Sequence, residues 1–201
     1  MIDKLIGYDV QLFLFLNNLR NPFFDFVFWW ASVPLIWMPV YIILLYLVLK
    51  VYRWQSIFII IFTILLVSLT DQISVHFFKD TFMRLRPCHN PEIQSQVVTL
   101  NGYCGGQYGF VSSHAANYFG IAAFLSVLFF RGIRFFIPSV MLWASLISYS
   151  RIYLGVHYPA DVACGAILGL IIGILLGHAF KLLSRKLLLK HNFFRLGNQQ
   201  K

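Results

Sequence analysis

Residues 158–182 read YPADVACGAILGLIIGILLGHAFKL, and this stretch decides the fold class. Its 25 residues include two charged side chains, Asp161 near the start and Lys181 near the end. At ~1.5 Å per residue, an α-helix of this length crosses the ~30 Å hydrocarbon core of a bilayer. We therefore predict that this segment is a transmembrane helix.

The composition of the whole chain agrees with a membrane protein. Of its 201 residues, 59% are hydrophobic, 18% are aromatic and 11% are charged. Ordinary globular chains contain roughly 25% charged residues. The mean hydropathy of +0.74 is too high for a disordered chain and argues against a soluble domain.

Four further segments are long enough and apolar enough to cross a bilayer. Together with residues 158–182 they predict an all-α integral membrane protein with about five transmembrane helices. Their approximate bounds are 34–50, 54–78, 112–130 and 134–152.

The N-terminal part is too short and too polar to span the bilayer. Residues 5–19 mix Leu, Ile and Phe with polar side chains, and the following NPFFDFVFWWASVP is rich in Phe and Trp. Both patterns favour helices that lie at the level of the lipid headgroups. We divide the chain into N-terminal interfacial helices (1–33), a transmembrane core (34–182) with an outer loop (80–111), and a basic cytoplasmic tail (183–201).

The basic residues predict the orientation in the membrane. The formal net charge is +9, and ten of the sixteen Lys and Arg residues fall on one side of the predicted spans. This side should face the cytoplasm, which places the N-terminus and the loop 80–111 outside. A basic tail beside an apolar run indicates contact with anionic lipid headgroups and not with nucleic acid. We expect a protein of the inner (cytoplasmic) membrane whose active site faces the periplasm or outside.

Charged groups near membrane spans are rare and usually functional. Three polar clusters fall at span ends on the predicted outer face: KDTFMRLRP (79–87), FVSSHAAN (110–117) and SRIYLGVHYPAD (150–161). The topology therefore brings six ionisable side chains to one face of the membrane: Lys79, Arg86, His114, Arg151, His157 and Asp161.

The cations in these clusters predict an anion site. Lys79, Arg86 and Arg151 have no matching number of nearby carboxylates, so they favour an anion such as phosphate. Ser112 and Ser113 precede a predicted helix, whose free amides and dipole also favour an anion.

The histidines predict nucleophilic or acid–base chemistry. Asp161 follows His157 by four residues, so the two side chains could meet on one helix face. A carboxylate on one imidazole nitrogen fixes the tautomer and leaves the other nitrogen free as a nucleophile. Asn117 lies one helical turn beyond His114 and is a candidate to support its ring.

The other ionisable residues are interpreted as structural. Arg84 and Asp80 are taken as loop charges, paired or free, and His76 as a partner of Asp71 or Gln72. His178 and His191 lie at the cytoplasmic end, away from the three clusters.

Two of the three cysteines, Cys88 and Cys104, lie in the outer loop. In an oxidising compartment they could form a disulfide that stabilises the loop by roughly 3 kcal/mol, and the alternative is two free thiols. No metal is expected, because Cys88, His89 and Cys104 are only three ligands at irregular spacing.

The three polar clusters are similar to the signature of the type-2 phosphatidic acid phosphatase family. That signature is Lys, six residues, Arg-Pro; then Pro-Ser-Gly-His; then Ser-Arg, five residues, His, three residues, Asp. Lys79–Pro87 and Ser150–Asp161 match the first and third parts fully. The second part departs, because Val111–His114 reads VSSH and lacks the Pro and the Gly, while the Ser and the His are kept.

The resemblance implies the family's helical bundle and a phosphatase that needs no metal or other cofactor. His157 would be the nucleophile, oriented by Asp161, and the reaction would pass through a phosphohistidine. His114 would act as general acid and then as general base. Five further residues would hold the phosphoryl oxygens: Lys79, Arg86, Ser112, Ser113 and Arg151.

A site at the membrane surface, reached between apolar helices, predicts a phosphate on a lipid. The chain has no extra soluble domain for a large sugar headgroup, so among the family's substrates we favour undecaprenyl diphosphate, cleaved to undecaprenyl phosphate and phosphate. The alternatives are a lipid A phosphate, phosphatidylglycerophosphate and phosphatidic acid. An alternative of a different class is a catalytically silent membrane transporter or scaffold.

A row of glycines at every fourth position also marks the last predicted span. Small residues at this spacing allow helices to approach closely. We expect this row to serve packing within the monomer more than dimerisation, and the oligomeric state stays open. The glycine row consists of Gly165, Gly169, Gly173 and Gly177.

Overall fold

The structure, a computed structural model, describes residues 2–129 and 135–197, with side chains for residues 3–129 and 135–185. Within this part the chain is helical, apart from turns, loops and one isolated β-bridge between Leu85 and Tyr108. The α-helices are α1 (Ile2–Asn18), α2 (Pro22–Ala31), α3 (Met38–Tyr52), α4 (Ser56–Gln72), α5 (Asp80–Phe82), α6 (Ser113–Phe129), α7 (Phe136–Tyr153) and α8 (Pro159–Gly197).

The helices confirm the predicted all-α bundle. Each of the five predicted spans corresponds to a helix, and the second is longer than α4 alone because α4 runs on into a π-helical segment, Ile73–Lys79. Within the described residues, Pro34–Phe82 and Pro159–Arg185 are each long and apolar enough to cross a membrane. The exact number of spans stays a prediction.

Helix α6 lies at the centre of the bundle, and α4, α7 and α8 pack around it. The glycine row of α8 allows the closest of these contacts. A Cβ added at Gly165 would lie 2.5 Å from the carbonyl oxygen of Ser112, and the next two glycines of the row face the backbone of Ala116 and Gly120 in the same way. Real Cβ atoms do not approach a carbonyl oxygen so closely, so the glycine row packs α8 on α6 within the monomer.

Helices α1 and α2 lie across the end of the bundle that carries the loop 80–111, where α2 packs against α7, and α1 packs against α7 and α8. Asn17 of α1 is fully buried there. Its amide nitrogen donates to the carbonyl oxygens of Tyr153 (2.9 Å) and Val98 (3.1 Å), and its oxygen accepts from the Val98 amide (2.9 Å). The opposite face of α1 exposes Leu5, Tyr8, Leu12 and Phe15, as expected for a helix resting on lipid.

The loop 80–111, which includes the short helix α5, is closed by two cross-links. The β-bridge pairs Leu85 with Tyr108, and Cys88 and Cys104 form a disulfide with their Cα atoms 6.0 Å apart. Both links begin within two residues of Arg86, so they restrain the loop segment that carries this arginine.

Several predicted features on the cytoplasmic side lie outside the described residues. They are Arg131 and Arg134, which are two of the ten basic residues on the predicted cytoplasmic side, and the side chains of the tail from position 186 onwards, including His191. Helix α8 itself continues through the predicted tail as far as Gly197. Contact of this tail with anionic headgroups stays a prediction.

Candidate active site

Lys79 is the last residue of the π-helical segment that follows α4. Such segments are rare, and they frequently occur at functional sites. The Lys79 Nζ donates a hydrogen bond to Ser113 Oγ at 2.8 Å. Ser113 is the first residue of α6 and replaces the glycine of the family pattern. The replaced position therefore contacts the lysine that the sequence predicts to bind phosphate.

Ser112 is fully buried immediately before α6. Its Oγ accepts a hydrogen bond from the Ala115 amide at 3.4 Å, which is the capping bond expected of a serine at a helix start. Its own amide donates to the carbonyl oxygen of Asp161 at 3.0 Å. Ser112 thus links the start of α6, which carries His114, to the start of α8.

Arg86 is held by the closed outer loop. Its Nε and Nη1 donate to the carbonyl oxygens of Tyr108 and Cys104, both at 3.3 Å. Burial lowers the pKa of its guanidinium, and the neighbouring charge of Arg151 lowers it further. This is the effect expected where buried cations gather without enough carboxylates.

Arg151 lies near the end of α7 and is 2% exposed. Its Nη2 donates to the Tyr103 hydroxyl at 3.1 Å, and its guanidinium carbon lies 5.4 Å from the centre of the Tyr103 ring. Its Nε makes no hydrogen bond within the described part of the chain. A buried guanidinium with a free N–H is well suited to bind an anionic oxygen.

His157 lies in the turn between α7 and α8 and is 1% exposed. Gly155 allows this turn, because its φ of +77° is rarely adopted by other residues. The spacing predicts that His157 and Asp161 share one face of a helix. Because α8 begins at Pro159, His157 precedes the helix, and this prediction is wrong. The two side chains meet nevertheless, with His157 Nδ1 3.5 Å from Asp161 Oδ2.

The electrostatics of His157 favour a neutral ring. Burial lowers its pKa well below the usual value, and the charges of Arg86 and Arg151 add to this effect. His114, in the first turn of α6, interacts electrostatically with Arg151, His157 and Arg86. The structure therefore gathers the predicted histidines and cations into one cluster.

Asp161 is fully buried, and its carboxylate has two further partners. Oδ1 accepts from Arg84 Nη1 at 2.7 Å, and Oδ2 accepts from the Tyr158 amide at 3.0 Å. The second nitrogen of Arg84, Nη2, donates to Asp9 Oδ2 at 2.6 Å. Arg84 is therefore not a loop charge that is free or paired with Asp80, because two carboxylates far away in the sequence hold it beside the site.

Two other polar residues have partners that the sequence did not predict. His76 Nδ1 lies 3.1 Å from Asp80 Oδ2 on the exposed surface, instead of pairing with a polar residue of α4. Asn117, predicted to support His114, accepts a hydrogen bond from Thr70 Oγ1 at 2.5 Å and so links α6 to α4.

Gly109, Tyr103 and the Arg84–Asp9 pair also contribute to the site, and none of them was among the predicted site residues. A Cβ at Gly109 would lie 3.1 Å from Asp161 Oδ2 and 3.5 Å from His157 Nδ1, so a glycine leaves room for the loop over these side chains. The only signal in the sequence was the unmatched charge of Arg84 inside the first polar cluster. Nothing in the sequence separated Gly109 from the other loop glycines.

The loop cysteines do not offer a metal site. Ligand atoms of Cys88, His89 and Cys104 lie within 4.8 Å of one another. Because both sulfurs belong to the disulfide, neither provides a thiolate for a metal ion.

The sequence model of the PAP2 superfamily matches residues 56–185, which contain the clustered histidines and cations. The chain belongs to the PAP2 superfamily. This PAP2 protein is 41% identical over 172 residues to a lipid A 4'-phosphatase of Bacteroides thetaiotaomicron, covering 84% of this chain and 75% of that relative. It is 36% identical over 173 residues to a lipid A 4'-phosphatase of Porphyromonas gingivalis, covering 86% of this chain and 72% of that relative.

Two solved structures are similar to this PAP2 protein. The crystal structure of Aquifex aeolicus LpxE gives a TM-score of 0.61 at 30% identity, covering 83% of this chain and 93% of that chain. A PAP2-type phosphatidylglycerolphosphate phosphatase from Bacillus subtilis gives 0.66 at 18% identity, covering 89% and 86%, and shows the fold alone. The predicted family, membrane helical bundle and enzyme class are confirmed: the protein is a membrane lipid phosphatase, a phosphoric monoester hydrolase.

Proposed function

We propose that the protein hydrolyses the 4'-phosphate monoester of lipid A through a phosphohistidine at His157. The choice of substrate rests on the 41% identity over 172 residues to a lipid A 4'-phosphatase, and the second relative of the same name supports it. This proposal takes up the alternative from the sequence analysis and replaces undecaprenyl diphosphate as the favoured substrate.

The first step is attack by His157 on phosphorus. Its Nδ1 faces Asp161 Oδ2 at 3.5 Å, which leaves Nε2 for the substrate. The low pKa of this ring keeps it neutral and nucleophilic at physiological pH. The new N–P bond forms as the bond between phosphorus and the 4' oxygen of the sugar breaks.

His114 completes both steps by moving one proton. In the imidazolium form, which the dianionic phosphate of the substrate favours, it gives a proton to the leaving 4' oxygen, which departs as a sugar hydroxyl. It then takes a proton from a water molecule that attacks the phosphohistidine, and inorganic phosphate leaves with His157 restored. General acid–base help of this kind typically contributes ~10²–10⁴-fold in rate.

The cations hold the phosphoryl oxygens as charge moves during the transfer. Lys79 and Ser113 approach from the α4 and α6 side, and Arg86 and Arg151 approach from the loop and α7. Arg151 Nε and the α6 N-terminus, capped by Ser112, supply further donors. Removal of one such donor typically costs ~10²–10³-fold in kcat.

An apolar cavity in the helical bundle supports a substrate with acyl chains. It lies between α3, α4 and α6, has a volume of about 220 Å³, and has a mostly apolar lining that includes Val48, Ile59 and Leu125. Tyr41 in this lining hydrogen-bonds to the Tyr118 hydroxyl at 2.9 Å, one helical turn beyond His114. An acyl chain in this cavity would therefore lie below the phosphate site.

We also infer that the site faces the periplasm from the inner membrane. The clustered catalytic residues lie at the end of α6 and α8 opposite to the predicted cytoplasmic charges. The exposed apolar face of α1 is suited to rest on the membrane surface at the same end of the bundle as the site.

The experiment that tests this proposal is phosphate release by the purified protein in detergent with EDTA. The substrates are 4'-monophosphoryl lipid A, 1-monophosphoryl lipid A, undecaprenyl diphosphate, phosphatidylglycerophosphate and phosphatidic acid. We expect the fastest release from 4'-monophosphoryl lipid A. His157→Ala should abolish release, while the matched control His178→Ala, in α8 away from the site, should keep it.

Other outcomes would contradict specific parts of the proposal. Faster release from another lipid would replace the substrate, and wild-type release by His157→Ala would refute the phosphohistidine. Failure of the wild-type protein on every lipid would favour the silent transporter or scaffold.

A further inference from the structure

We propose that Arg84 and Asp9 are positioning residues that hold the Asp161–His157 pair, so that the interfacial helix α1 contributes to catalysis. This inference rests on the proposed function, because it takes His157 as the nucleophile. Neither residue belongs to the family signature, and Asp9 lies in a part of the chain that the signature does not cover.

The first link is the ion pair between Arg84 and Asp161. Asp161 is fully buried, and a buried carboxylate requires a counter-charge or hydrogen bonds. Arg84 Nη1 donates to Oδ1 at 2.7 Å, while Oδ2 accepts from the Tyr158 amide at 3.0 Å and faces His157 Nδ1 at 3.5 Å. Arg84 therefore fixes the rotation of the carboxylate that faces the nucleophile.

The second link is Asp9, which holds two groups at once. Its Oδ2 accepts from Arg84 Nη2 at 2.6 Å, and its Oδ1 accepts from the Ala160 amide at 2.8 Å. Ala160 lies in the first turn of α8, where free amides need an acceptor and the helix dipole favours a carboxylate. One carboxylate on α1 thus fixes both the arginine and the start of the helix that carries Asp161.

The third link fixes the plane of the guanidinium. The Arg84 guanidinium carbon lies 3.9 Å from the centre of the Tyr158 ring. The ring is itself held by a T-shaped contact with Phe13 of α1, at 5.4 Å between ring centres, and by a hydrogen bond from Asn90 Nδ2 to its hydroxyl at 3.1 Å. A lysine at this position could keep one ion pair. It could not bond both carboxylates while stacking a planar group on the Tyr158 ring, as the guanidinium does.

Loss of this network should affect the chemical step more than substrate binding. The phosphate would still meet Lys79, Arg86 and Arg151, so KM should change little. Without Arg84, however, the Asp161 carboxylate keeps the Tyr158 amide but loses its ion pair, so it can turn about the remaining hydrogen bond and His157 loses its orientation. Misplacement of a reacting group by ~1 Å can cost ~100-fold in rate.

The experiment compares four variants of the full chain with wild type, using phosphate release and thermal unfolding in detergent. Arg84→Gln should lower kcat by ~100-fold with KM within about twofold of wild type. Arg84→Lys should recover part of this loss, and Asp9→Asn should lower kcat by ~10-fold because one acceptor oxygen remains.

Arg20→Gln is the matched control. Arg20 forms a similar pair, with its Nη2 2.9 Å from Asp25 Oδ1, and also anchors the N-terminal helices through the Val98 carbonyl oxygen. Within the described residues, the contacts of Arg20 are with Asp25, the Val98 carbonyl oxygen and the Tyr153 ring, and not with Asp161 or His157. We expect Arg20→Gln to lower the unfolding temperature while keeping the wild-type kcat.

The outcomes separate this inference from the proposed function. An unimpaired kcat in Arg84→Gln, beside an active wild type and an inactive His157→Ala, would overturn this inference alone. An equal fall of kcat in Arg20→Gln and Arg84→Gln would also overturn this inference, because the loss of kcat would then reflect lower protein stability. An active His157→Ala would overturn the proposed function instead.

Discussion

Substitution of Gly165 by alanine should disturb the active site by separating two helices. Gly165 lies one turn after Asp161 on α8 and faces the backbone of Ser112 at the start of α6. The added Cβ would lie 2.5 Å from the Ser112 carbonyl oxygen and 3.2 Å from Ala115 Cβ. Carbon–oxygen contacts normally lie at ~3.3 Å or more, so the helices must separate by about 0.8 Å at this level.

The size of the effect follows from what the two helices carry. His114 lies at the start of α6, and Asp161 lies at the start of α8. A separation approaching ~1 Å should therefore lower kcat by ~30–100-fold. Overpacking of this kind should also cost ~1–3 kcal/mol in the free energy of unfolding.

The assay is phosphate release together with thermal unfolding of the purified protein in detergent. Gly7→Ala is the control, since a Cβ at this helical position of α1 has no neighbour within 4 Å among the described residues. It should keep the wild-type kcat. Gly165→Ala with the wild-type kcat and the wild-type unfolding temperature would refute the close packing of α8 on α6.

Three further predictions follow from the loop, the nucleophile and the N-terminal helix. Cys88→Ser or a reducing agent should lower the free energy of unfolding by ~3 kcal/mol and slow turnover, because Arg86 loses its fixed loop carbonyls; an unchanged unfolding midpoint and rate under reductant would contradict this. The pKa of His157 is lowered in the folded protein, so as the pH drops below ~6.5 this side chain takes up a proton in the unfolded chain but not in the folded one. The free energy of unfolding should therefore fall below this pH. The unfolding temperature of His157→Gln should fall less over the same range, and an equal fall would count against the buried neutral ring. Asn17→Ala should lower the free energy of unfolding by ~2 kcal/mol in denaturant titrations, because it leaves buried backbone groups unpaired, whereas the exposed Asn18→Ala should not.

The sequence predicted the helices and the clustering of the site well, for a physical reason. Apolar runs of bilayer length allow few alternatives to helices, and polar clusters at their ends are sorted onto membrane faces by the topology. The order of spans and loops is therefore enough to bring Lys79, His114 and His157 to one face of the membrane. Their spacing also matches a known family.

The sequence could not predict contacts made across long separations. Arg84 meets Asp9 and Asp161, 75 and 77 positions away, and no local pattern encodes such a choice of partner. Asn17 looked like one polar residue of an interfacial helix, yet it is buried against α7 and the loop. The sequence also could not predict the headgroup of the lipid substrate, because the shape of the pocket that binds it depends on how whole helices pack.

The proposed mechanism depends most directly on a covalent bond between phosphorus and a ring nitrogen of His157. The measurement is mass spectrometry of the protein after quenching turnover of 4'-monophosphoryl lipid A with alkali, because phosphohistidine is labile in acid. The predicted result is a phosphoryl group on His157 in the wild-type protein and on no residue in His157→Ala. A phosphoryl group on another residue, or full turnover with His157 unmodified, would contradict the mechanism.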